Sequence, residues 1–294
     1  IHVTAEDGAA IRSYAAATAE PTAAISKFSI GTSKLNAPVM ADFSSRGPNR
    51  YDANVLKPDV TAPGVDIIAG TSPTLTEAQR IDIINGTLVP EYAFVSMQGT
   101  SMSAPHVSGL SALLRQKYPN WSPSMIKSAL MTTATDTFPD ALAGDIRGQL
   151  PFAQGAGHVN PTAALNPGLV YAITELDYRK YMCGAGVAAQ CSVGQIAGYE
   201  LNLPSITVGN VLGAVTVNRS VTNVGTQPAT YTARTTMQGF NVAVSPATLQ
   251  LAPGETKSFA VTLTRNGAAE NVWQYGSLTW DDGVHKVRSP IVAR

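Results

Sequence analysis

From residue 205 onward, apolar and polar residues alternate with period two. The alternating runs are 215–221, 229–233, 241–244, 256–263 and 276–280. Turn chemistry separates them: Asn223-Val224-Gly225-Thr226, Pro253-Gly254 and Asp281-Asp282-Gly283. Alternation puts one face of each run in a core and the other in water. Several such short strands predict a β-sandwich over 205–294.

Upstream the period lengthens. Val107, Leu110, Leu113 and Leu114 form a stripe at helical spacing and predict a helix over 101–117. Its first turns carry mostly small residues, among them Ser101, Ser103, Ala104, Ser108 and Gly109, which let a helix pass close to a sheet. Pro105 lies near the first turns, where an intrahelical bond is not yet owed. A second helix starts at Ser122-Pro123, an N-cap residue followed by a favoured first residue. Met125, Ile126, Ala129 and Leu130 make its buried face.

Between 26 and 70, short apolar runs at 38–43 and 60–69 read as buried strands joined by tight loops, and 71–93 as loop. Residues 1–25 read as a short strand over 1–3, then a small helix over 9–16 capped by Asp7 and ended by Pro21. Strands alternating with helices argue α/β for this part. The boundary with the sandwich falls in 166–204, where Pro167-Gly168, two cysteines and Pro204 cluster.

Composition narrows the function classes. Twenty Lys and Arg balance twenty Asp and Glu, and no charge run stands out. Neither nucleic acid nor a membrane surface is an expected partner. No window of eighteen apolar residues exists to cross a bilayer. Carboxylates are scattered without ligand spacing, so no metal site or other cofactor is expected. Charged residues are only 14% of the chain, with Thr, Ser, Ala and Val abundant, a surface common outside the cell. Sequons at Asn85, Asn120 and Asn218 fit that, Asn120 being the weakest because Ser122 has a capping role. Cys183 and Cys191 lie eight apart with no His nearby. A disulfide is expected, with two thiols as the alternative. The chain begins at Ile1 and reads as the interior of a longer precursor.

The chemistry concentrates in Gly99-Thr100-Ser101-Met102-Ser103-Ala104-Pro105-His106-Val107-Ser108-Gly109. A serine opening a helix faces unpaired backbone N–H groups and the positive end of the dipole. An oxyanion formed beside Ser101 would find that residue's own N–H. Gly99 lets the backbone approach a substrate closely. Read alone, Ser101 is better explained as an ordinary helix cap.

The wider pattern decides otherwise. This run, Phe43-Ser44-Ser45-Arg46-Gly47-Pro48-Asn49 and Leu56-Lys57-Pro58-Asp59-Val60-Thr61-Ala62-Pro63-Gly64 together resemble the subtilisin-like serine proteases in order and spacing. The Arg-Gly-Pro-Asn form and the terminal sandwich resemble the plant, cucumisin-like branch. The resemblance implies an α/β fold: the C-terminal half of a parallel-sheet catalytic domain over 26–165, then a fibronectin type III-like sandwich over 205–294. Residues 1–25 are then the tail of an inserted protease-associated domain. It also implies a secreted endopeptidase acting on proteins or peptides, in the cell-wall space if the source is a plant. Ser101 is the nucleophile, Gly99 and Thr100 shape the oxyanion turn, and Met97, Gln98 and Met102 line the cleft.

One part of the machinery has no counterpart in this sequence. In subtilisin the triad runs Asp, His, Ser along the chain. Only His2 precedes Ser101, and its neighbours Ile1, Val3 and Thr4 do not resemble the base motif. His106, about 140° around the helix from Ser101, reads as a hydrogen-bonded helix residue. His158 reads as part of a structural turn, and His285 lies in the sandwich. The base, the acid and the oxyanion asparagine are therefore expected on an upstream catalytic segment, and the chain alone is expected to be nearly inactive. Two other readings remain: a truncated product that binds peptides or partners without catalysis, and an esterase. The esterase motif wants Gly where Ser103 stands.

Overall fold

The computed structural model describes residues 5–24, 37–71, 74–91, 93–138, 150–187 and 191–294. The chain divides into two compact units, Ile1–Leu35 and Asn36–Arg294.

In the first unit, α1 spans Ala5–Ala17 and carries Glu6 and Asp7 in its first turn. Acidic residues there complement the helix dipole. The helix starts earlier than the pattern predicted, so Asp7 sits inside the first turn and is not its cap. The strand expected over 1–3 lies outside the described residues.

Among the described residues the run 38–43 forms no strand, and the run 60–69 forms one only from Ile67, mostly exposed where it was expected buried. Val39 and Phe138 form an isolated parallel bridge, as do Thr61 and His158. Pro38, Pro48, Pro58 and Pro63 remove ladder donors before Ile67, and among the described residues no neighbouring strand completes the pairing there. A single antiparallel ribbon follows, of β1 (Ile67–Thr71) and β2 (Ala93–Met97), with Ile67 opposite Met97. Between them lies α2 (Glu77–Ile84), where loop was expected. Thr76 and Gln79 close a reciprocal capping box there, a signal legible in Thr76-Glu77-Ala78-Gln79.

Helix α3 spans Thr100–Lys117 and α4 spans Pro123–Thr132. Ser122 Oγ accepts from the Met125 amide, as an N-cap should. Leu114, Trp121, Ile126, Ala129 and Leu130 bury together between the two helices. Short helices α5 (Pro151–Gln154) and α6 (Pro161–Ala164) lead to the interdomain stretch. That stretch is more than a linker. It contributes β3 (Leu169–Val170) to a sandwich sheet and forms α7 (Glu175–Gly184). Two buried serines of α4 hold it: Ser128 Oγ accepts from the Tyr171 amide at 2.8 Å, and Ser124 Oγ from the Ile173 amide at 3.0 Å.

The sandwich is built as the alternation predicts. Its strands are β4 (Ile206–Val208), β5 (Ala214–Asn223), β6 (Ala229–Met237), β7 (Phe240–Ser245), β8 (Thr248–Leu251), β9 (Thr256–Arg265), β10 (Gln274–Asp281) and β11 (Lys286–Ala293). One sheet runs β4-β11-β10-β6-β8 and the other β3-β5-β9-β7. Val217 and Val221 of β5 and Phe259, Val261 and Leu263 of the neighbouring β9 pack with Trp280 of β10, in the other sheet, in one core. Fully burying a side chain of this size contributes about 1.5–3 kcal/mol.

One core position is charged. Arg219 is buried and donates to the carbonyls of Leu203, Tyr199, Asn218 and Ser205. It thereby fastens the 199–205 segment to β5. Burial pulls its pKa down to about 10.

The sandwich also packs against the helical part. Leu56, Phe152 and Val292 bury together, with Trp273 and Tyr275 packed on them. The Phe152 and Trp273 rings meet edge to face at 5.0 Å.

Candidate active site

The Ser101 turn is assembled from two loops. Gly99 caps α3 with φ 151°, a conformation open to glycine and strained for other residues. Its amide donates to the Gly64 carbonyl at 2.8 Å, and its carbonyl accepts from the Met102 amide at 3.0 Å. Ser103 Oγ donates to the Ala62 carbonyl at 2.9 Å. The Ala62-Pro63-Gly64 loop and the start of α3 are thus stitched together on both sides of Ser101. Gly64 makes the approach possible, because a Cβ there would lie 2.9 Å from the Gly99 carbonyl oxygen and nearer still to Ser103 Oγ.

Ser101 is exposed at the second residue of α3. Its amide precedes the first intrahelical acceptor, so this N–H points outward with the dipole behind it. Among the described residues, its hydroxyl takes no hydrogen-bond partner.

The expected neighbours fall in three places. Gly99 and Thr100 line an apolar trough of about 920 Å³ together with Met40, Pro58, Val60 and His158. Met102 folds back over the turn, its Sδ 3.7 Å from where a Gly99 Cβ would be. Met97 and Gln98 are exposed on the chain leading into Gly99.

The histidines are engaged elsewhere. His106 Nδ1 lies 2.8 Å from the Met102 carbonyl oxygen, a contact the Nδ1–H tautomer makes by donating. His158 is held by backbone bonds to Thr135, and burial lowers its pKa, favouring the neutral ring. His285 Nδ1 sits 2.8 Å from Asp282 Oδ2 in the sandwich. His2 lies outside the described residues.

Arg46 donates to the Ser44 carbonyl at 2.8 Å and closes its own loop. Asp59 pairs with Lys57 and with Lys127, at 2.5 Å and 2.8 Å. Asn85 caps the C-terminus of α2 and Asn218 lies on the outer face of β5; both are exposed. Among the described residues no group of His, Cys, Asp and Glu is arranged to hold a metal ion. None of the helices there is long and apolar enough to cross a membrane. Cys183, at the end of α7, has its thiol pKa raised, first by a hydrogen bond with Cys191 and then by burial. Cys183 and Cys191 are thus neighbours in the structure.

Residues 8–157 match the Subtilase family, and residues 200–293 match a fibronectin type-III domain. The chain belongs to the subtilase family. It is 40% identical to subtilisin-like protease SBT5.3 of Arabidopsis thaliana, over 99% of this chain and 39% of that protein. It is 43% identical to subtilisin-like protease Glyma18g48580 of Glycine max, over 88% of this chain and 34% of that protein. This subtilase chain thus spans well under half the length of the curated relatives it matches. Its family match begins at residue 8, inside the segment read from sequence as the tail of an inserted domain.

Proposed function

We propose that this chain is the nucleophile-bearing part of a serine endopeptidase that cleaves proteins or peptides through an acyl-enzyme on Ser101. The observation that carries the reading is the Ser101 turn: an exposed serine at the start of α3, clamped by the Gly99–Gly64 and Ser103–Ala62 hydrogen bonds. Ser101 Oγ attacks the scissile carbonyl carbon and gives its proton to a base. The carbonyl oxygen becomes an oxyanion, and the Ser101 N–H at the head of α3 is one of its donors. Thr100 borders the same turn. The base, the acid that orients it and an oxyanion asparagine come from an upstream catalytic segment. No metal or organic cofactor takes part.

The family supports further parts of this reading. Residues 1–25 are the exit of an inserted domain, and 166–204 join the catalytic part to the sandwich. The protein is secreted, carries glycans at Asn85 and Asn218, and closes a disulfide between Cys183 and Cys191.

A fluorophosphonate probe applied to the protein as its source makes it, with any upstream sequence, tests the catalytic claim. Labelling at Ser101 that disappears in S101A supports it. An unlabelled full-length product would leave the second reading, a peptide- or partner-binding module without catalysis. That reading draws on the lack of a histidine partner for Ser101 among the described residues.

A further inference from the structure

We infer that Arg288, on β11 of the sandwich, is a positioning residue for the Ser101 turn. The inference rests on the reading of Ser101 as nucleophile. Arg288 Nη2 donates to the Ala156 carbonyl and, at 3.3 Å, to the Ala134 carbonyl. The same nitrogen lies 3.1 Å from Asp136 Oδ1, which also accepts from Gln154 Nε2 at 3.0 Å. Gln154 is buried, and its Oε1 accepts from the Thr137 amide at 2.8 Å. One guanidinium therefore gathers the 134–137 and 154–159 segments, which also exchange backbone bonds between Thr135 and His158.

Those segments hold the loop beneath the nucleophile. The Ala156 amide donates to the Asp59 carbonyl at 2.9 Å, and the Thr61 amide to the Gly157 carbonyl at 2.9 Å. The Val159 amide donates to the Thr61 carbonyl at 3.0 Å. Beyond Thr61 come Ala62 and Gly64, whose carbonyls accept from Ser103 Oγ and the Gly99 amide. Hydrogen bonds and short backbone steps thus connect the sandwich to the residue two before Ser101. The fit around the guanidinium is close, since a Cβ on Gly157 would lie 3.2 Å from Arg288 Nη2.

The Ala134, Ala156 and Asp136 oxygens share the two N–H bonds of Nη2, whose directions the guanidinium plane fixes, while a lysine ammonium rotates freely on its stem. The junction does not depend on Arg288 to stay closed. Leu56, Phe152, Val292, Trp273 and Tyr275 supply an apolar contact beside it. The sandwich core does not include Arg288 at all. Removing the guanidinium should therefore loosen the loop below Ser101 without unfolding the protein.

The test uses the full-length protein with its upstream segment, as wild type, R288M and R288K. Three quantities are read: the rate of fluorophosphonate labelling at Ser101, kcat and KM on a peptide substrate, and amide hydrogen exchange. A displacement near 1 Å at a catalytic group costs about 10²-fold in rate, so R288M should lose roughly 10- to 100-fold in labelling rate and kcat. KM should stay within about twofold, because the loss falls on the transition state. Exchange at the Thr61 and Gly99 amides should quicken while β5 and β9 keep their protection. R288K should fall between the two. Wild-type labelling and exchange in R288M would overturn the inference. So would a loss of activity accompanied by faster exchange in β5 and β9, which marks a merely structural residue. If wild type itself is not labelled at Ser101, the reading of the nucleophile fails. Exchange at Gly99 in R288M then still decides whether the hydrogen-bonded connection exists.

Discussion

Gly64→Ala is the sharpest perturbation of the nucleophile turn that does not touch a reacting group. The added methyl carbon would lie 2.9 Å from the Gly99 carbonyl oxygen, below 3.0 Å, a separation real Cβ atoms essentially never show. It would meet Ser103 Oγ closer still. The Ser103 hydroxyl can rotate away at the cost of its bond to the Ala62 carbonyl, about 1 kcal/mol. The Gly99 carbonyl cannot, because it caps α3 and accepts from the Met102 amide. The two loops must separate by roughly half an ångström to an ångström to restore ordinary contact. Overpacking of this kind costs about 1–3 kcal/mol in stability. The same shift at Ser101 costs up to about 10²-fold in rate. Labelling of Ser101 by a fluorophosphonate, followed by mass spectrometry on the full-length protein, measures the second quantity, and a thermal melt the first. Adding Ser103→Ala to Gly64→Ala should recover part of the stability but little of the rate, since the Gly99 contact persists. A Gly64→Ala protein labelled at the wild-type rate would show that the Gly64–Gly99 contact does not position Ser101.

Other outcomes follow from the same geometry. Peroxide should convert Met102 to its sulfoxide over the Gly99 turn and lower the activity of the full-length enzyme; full activity after stoichiometric oxidation, measured by peptide mass, would remove Met102 from the site. Unreduced peptide mapping of the protein as its source makes it should find Cys183 joined to Cys191, and reduction should lower stability by about 2 kcal/mol; two alkylatable thiols in the native protein would refute the pairing. Burial alone would raise the Asp282 pKa, but hydrogen bonds from the His285 ring and from the His285 and Val284 amides outweigh it, and the net shift is down from 3.8. Its carboxylate therefore stabilises the fold above pH 3.8 and stops doing so as pH falls through the lowered folded value. D282N should be less stable than wild type at pH 6 by about 1.5 kcal/mol, with the gap closing in stronger acid; a gap independent of pH would contradict this assignment.

The period-two runs after residue 205 were enough to predict the sandwich, because alternation is a local consequence of burying one strand face. The capped helix at Ser122-Pro123 and the serine at the head of α3 were legible for the same reason: caps act within a turn of the residues that need them. The capping box at Thr76 was equally local and went unread. Other features were not local at all. Apolar runs at 38–43 and 60–69 look like strands in sequence, yet a strand needs a partner: the first finds a single bridge at Val39, and the second a bridge at Thr61 and a ladder with β2 only from Ile67 on. Arg219 sits at an inward position of an alternating strand, and only the carbonyls of Leu203, Tyr199 and Ser205 make a buried charge tolerable there. Gly64 and Arg288 are ordinary letters in the sequence. Their contacts with Gly99 and with Ala156 span 35 and 132 residues of chain, and only folding brings such groups together. The sequence alone singled out Ser101 as the candidate nucleophile; the tertiary structure decided what holds its turn, because hydrogen bonds between distant backbone segments leave no periodic trace in the order of the residues.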